Sequence, residues 1–168
     1  MSAVSLPLPR IPRSASIAMA ALGPIAIGAI LAARVSNVSP LFTAPAIVFG
    51  VFAITSPALY IATATAGHAP NMGAMMRAFG VAIGAFGIVL AGLVLPTAFL
   101  SLTSTVPAST FLVTSVALGG AAVLALRRLA GELELKGSVT WAVFLVWSVA
   151  TLGIAGRLWW DLAREVIS

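Results

Sequence analysis

Five apolar stretches, each about long enough to cross a bilayer, take up most of this sequence, and no charged residue falls inside any of them. All nine Lys/Arg and all four Asp/Glu lie at the ends of the stretches or between them. Ionised side chains are costly in hydrocarbon, so this segregation specifies an integral membrane protein built from spanning helices. An apolar fraction of 61% with 8% charged residues is more than a water-soluble fold of 168 residues can hide, and lipid must cover part of it. The length allows one compact bundle, so residues 1–168 read as a single all-α membrane domain with short loops.

The expected spans are 15–33, 44–66, 78–100, 108–126 and 139–156, followed by an interfacial tail over 157–168. At 1.5 Å per residue, spans of about 18–23 residues reach roughly 27–35 Å, which matches the hydrocarbon layer. The first stretch follows Arg10 and Arg13 and could also be read as a signal peptide. Leu31 fits poorly at the small position before a cut after Ala33, so an uncleaved span is expected. Ser56-Pro57 interrupts the second span and predicts a kink near Ile54, with the hydroxyls of Thr55 and Ser56 available to the freed carbonyls. Ser138, after Gly137, is the expected N-cap of the fifth span.

Orientation follows from the positive-inside rule. A cytosolic N-terminus places Arg10, Arg13, Arg77, Arg127, Arg128 and Lys136 inside, and leaves Arg34, Arg157 and Arg164 outside. The expected topology is N-in/C-out, in a bacterial inner membrane given the Arg-, Ala- and Gly-rich composition. Trp159 and Trp160, just past the fifth span, and Arg127 and Arg128, at the end of the fourth, are expected interfacial anchors. In the tail, Leu158, Leu162 and Val166 share a face, and Arg157 can pair with Asp161. Arg128, Glu132 and Lys136 have the same four-residue spacing, which would flank Glu132 with two cations.

Gly80 and Gly84 form a G-x-x-x-G step in the third span, with Gly87 one turn further on. Small residues let helices approach closely, so this face is expected to pack against another span or, alternatively, against a partner or a second copy. His68, the one histidine, stands near Met72, Met75 and Met76, and soft ligands of this kind could hold Cu(I). The stronger expectation is that Asn71 caps a helix on which Met72, Met75, Met76 and Phe79 form an interfacial apolar face. No metal or other cofactor is therefore expected.

The absence of cysteine excludes disulfides, thiolate metal sites and a thiol nucleophile. One histidine cannot supply two axial haem ligands. Ser56, Ser115 and Ser148 lie within spans that contain no histidine base, and no carboxylate or histidine lies at membrane depth for proton coupling. The +5 charge is scattered singly or in pairs, which suits lipid headgroups and argues against nucleic acid. The expected function is a non-catalytic accessory or scaffold subunit whose partners are the bilayer and another membrane protein or its own copies. The alternative is a small transporter or channel, with the Ser56-Pro57 break exposing backbone carbonyls to a cavity.

Overall fold

A computed structural model describes residues 13–67, 70–135 and 137–167 of the chain. The described residues form five helices and no strand: α1 (Arg13–Val35), α2 (Ser39–Thr65), α3 (Met72–Thr103), α4 (Pro107–Glu132) and α5 (Ser138–Ile167). Four of them contain segments long and apolar enough to cross a membrane: Ser39–Thr65, Met72–Thr103, Ala108–Glu132 and Ser138–Arg164. In α1 the corresponding apolar segment is the shorter Ala20–Val35. The protein is thus an all-α membrane bundle. The helices overrun the apolar stretches at their ends, because backbone groups near the headgroups gain from helical hydrogen bonding whatever the side chain. In the same way α5 runs unbroken to Ile167, so 157–167 continues the fifth helix rather than forming a separate tail.

The ends of the helices follow local rules. Asn71 caps α3, its Oδ1 accepting from the Ala74 N–H at 2.7 Å. An Asn71→Ala variant should lose about 1 kcal/mol, read as a lower thermal midpoint in detergent. At α5 the carbonyl of Gly137, not Ser138, accepts the first helical bond, from the Trp141 N–H at 3.3 Å. Gly137 has φ +85° and so stands where a Cβ would be strained; this places the cap one residue earlier than expected. The C-terminus of α3 is closed by a distant side chain. Arg34, at the end of α1, donates from Nη2 to the Ser104 carbonyl at 2.9 Å. A cation on a helix C-terminus offsets its negative end, typically by 0.3–1 kcal/mol and up to about 2 when partly buried. Arg34→Gln should therefore lower stability by about 1 kcal/mol, and the loss should shrink little in high salt because Arg34 is half-buried.

The helices form a ring in the order α2, α1, α3, α4, α5, with extensive contact between successive members and only a light contact where α4 meets α5. Two glycines set the tightest crossings. A Cβ on Gly28 would lie 2.5 Å from the Pro40 carbonyl oxygen and 3.0 Å from the Leu41 Cα, so α1 and α2 touch backbone to backbone. A Cβ on Gly23 would lie 2.8 Å from the Leu90 Cβ, which fixes the crossing of α1 and α3.

Inside the ring the apolar side chains gather in two clusters. One joins Leu59, Met75, Phe79, Leu129, Phe144 and Trp147, toward the end that carries the α2–α3 and α4–α5 connections. The other joins Ile27, Phe86, Leu90, Ala117 and Ala121 in the opposite half. Phe52 and Phe79 meet edge to face at 5.1 Å, bridging α2 and α3 where their backbones stay apart.

Candidate functional site

Because α4 and α5 barely touch and α2 stands off from α3, the ring encloses space. A cavity of about 370 Å³ lies between α2, α3, α4 and α5. Its wall is almost wholly apolar, and includes Val48 and Phe52 of α2, Phe86 of α3, Leu118 and Ala122 of α4, and Trp147 and Trp159 of α5. The lining draws on both core clusters, so the cavity sits at the middle depth of the bundle. Of the lining residues, only Gly119 on α4 and Leu152 and Gly156 on α5 are exposed. A Cβ on either glycine would meet nothing within 4 Å. The cavity thus opens at the α4–α5 seam, on the flank of the bundle.

Two tryptophans on α5 brace this space. Trp147 donates its indole N–H to the Thr55 carbonyl on α2 at 2.7 Å, in the turn before Pro57. Three turns on, Trp159 donates to the Ser115 hydroxyl on α4 at 2.7 Å and stacks on Phe111 at 5.5 Å. These are the polar ties of α5 to α2 and α4, and each places an aromatic ring against the cavity.

The residues singled out by sequence fall in different places. Gly84 and Gly87 are buried, and Gly87 contributes its carbonyl to the crossing with Gly23 at 3.6 Å from the position of a Cβ there. Gly80 is exposed, and a Cβ on it would meet nothing within 4 Å, so it lies off that contact. Helix α2 continues through Ser56 and Pro57. The Thr55 hydroxyl donates to Val51 at 2.9 Å and the Ser56 hydroxyl to Phe52 at 2.6 Å, both one turn back along the same helix. Arg127 and Arg128 are exposed at the end of α4, and Arg128 pairs with Glu132 at 3.1 Å. Trp160 is 53% exposed, whereas Trp159 turns inward to the seam. Arg157 reaches Asp161 at 3.5 Å as its spacing predicts, and Arg164 shares the same carboxylate. Leu162 is buried while Leu158 is exposed.

The four apolar side chains expected to share one interfacial face do not. Met75 and Phe79 are buried in the core against Leu59, while Met72 and Met76 are exposed. Positions 75 and 79 are four apart and stack as one row along the helix, positions 72 and 76 form the neighbouring row, and the packed helices cover only the first. His68, and with it the copper alternative, lies outside the described residues, as does Lys136. Among the described residues there is no group of three or more His, Cys, Asp or Glu placed to hold a metal.

Sequence reasoning missed Gly23, Gly28, Arg34 and Trp147. Gly23 and Gly28 are five apart, outside the four-residue small-residue motif, and a lone arginine at a span end reads only as a topology signal. Trp147 stands at mid-span, where an indole N–H needs an acceptor, and that was the available signal. Comparison with protein-family models, with curated proteins and with solved structures finds no match to this chain.

Proposed function

We propose that the chain is a small non-catalytic membrane subunit, accessory or scaffold in role, that acts through helix–helix and helix–lipid contact. Its N-terminus faces the cytosol of a bacterial inner membrane, with Arg127 and Arg128 among the six basic residues on that side. The state of the Ser56-Pro57 segment supports this reading over transport. A pathway through a broken helix needs backbone carbonyls free to face a solute. Here α2 runs as one helix through Pro57, the Thr55 carbonyl accepts from Trp147, and the Thr55 and Ser56 hydroxyls donate to the Val51 and Phe52 carbonyls of the same helix. The cavity beside them is apolar and suits no ion or polar solute. Ser115, a nucleophile candidate by position, spends its hydroxyl on Trp159 and on the Phe111 carbonyl.

The test is a tagged purification from native membranes in mild detergent, read by mass spectrometry and native gel. A second membrane protein present in stoichiometric amount is the expected result. A lone chain that carries solute into liposomes, with the flux altered by Pro57→Ala, would overturn the proposal in favour of transport.

A further inference from the structure

The cavity has a more specific occupant than the subunit reading requires. We infer that it binds one acyl chain of a membrane phospholipid, which enters sideways from the bilayer through the α4–α5 seam. Its volume of about 370 Å³ is at the small end of ligand pockets, which run from about 300 to 1,000 Å³, and so takes a single chain rather than a whole two-chain lipid. The wall offers dispersion contacts and almost no hydrogen-bonding groups, which fits a methylene chain and keeps water out. The mouth at Gly119, Leu152 and Gly156 lies on the flank of two spanning helices, where the surrounding solvent is itself hydrocarbon. Gly156 is followed at once by Arg157 and, within a turn, by exposed Trp160. A lipid whose tail lies in the cavity therefore keeps its headgroup beside an indole and the Arg157–Asp161–Arg164 group, which is net positive, at the C-terminal end of α5, so the lipid comes from the leaflet at that end. This holds whether or not a partner protein is also bound.

Trp147 reports on the inside of the cavity, because it lines the wall and is only 7% exposed. The experiment uses W141F/W159F/W160F, in which Trp147 is the remaining tryptophan, reconstituted in nanodiscs of ordinary or acyl-brominated phosphatidylcholine. Brominated chains quench indole on contact. Trp147 should lose most of its emission in the brominated bilayer. Adding Gly119→Leu and Gly156→Leu, which place side chains in the open mouth, should restore it without lowering the thermal midpoint. Equal emission in the two bilayers would overturn the inference, as would quenching that survives the mouth substitutions. Quenching by added dibromostearate but not by brominated phospholipid would overturn the phospholipid as source and assign a free fatty acid. Native mass spectrometry of the unsubstituted chain gives a check independent of these variants: one retained phospholipid is expected, and none would count against it.

Discussion

Gly28→Leu should prevent the bundle from assembling, with little monodisperse protein recovered in detergent. A Cβ at this position would stand 2.5 Å from the Pro40 carbonyl oxygen, and the obstacle is backbone, which cannot rotate away as a side chain can. Overpacking typically costs 1–3 kcal/mol and more where nothing can yield, whereas removing a helical glycine returns only about 1 kcal/mol of intrinsic propensity. Steric cost therefore wins even for Gly28→Ala, which should lower stability by about 1–2 kcal/mol. Gly80→Ala is the matched control: a Cβ there meets nothing within 4 Å, so its thermal midpoint should hold or rise. Size-exclusion profiles across a temperature series would separate the three variants. Normal yield and midpoint for Gly28→Leu would mean that α1 does not cross α2 at this point. Gly80→Leu adds a second reading, since a smaller oligomer with unchanged stability would place a partner or second copy on that exposed face.

Replacing Trp147 by Ala should be the most damaging change on α5, about 3–5 kcal/mol. The side chain is buried, packs on Phe79 and Phe144, and supplies the one hydrogen bond described between α5 and α2. Trp147→Phe separates the two contributions. It keeps most of the aromatic volume and removes the N–H to Thr55, and should cost about 1 kcal/mol. If the loss in Trp147→Phe equalled that in Trp147→Ala, the tie to α2 would outweigh the packing. If Trp147→Phe were silent, the hydrogen bond would contribute nothing and α5 would be held by packing alone.

Sequence by itself determined the helices and much of what happens within one turn of them. Asn71 caps α3, Arg128 reaches Glu132 and Arg157 reaches Asp161, because each pairing depends only on helical geometry and adjacent residues. The spanning character follows from where charges are absent, a property of composition along the chain. What tertiary structure decided is which face of each helix is interior. Gly23 and Gly28 carry the close crossings while Gly80 is open, Met75 is buried while Met76 is exposed, and Trp159 turns inward while Trp160 does not. In water such choices are written as an apolar stripe against a polar face. In a bilayer lipid is as apolar as a core, so a uniformly apolar helix carries no stripe, and shape complementarity between neighbours selects the face. The cavity belongs to that second category: no residue announces it, and it exists because α4 and α5, both fully compatible with lipid, stand slightly apart.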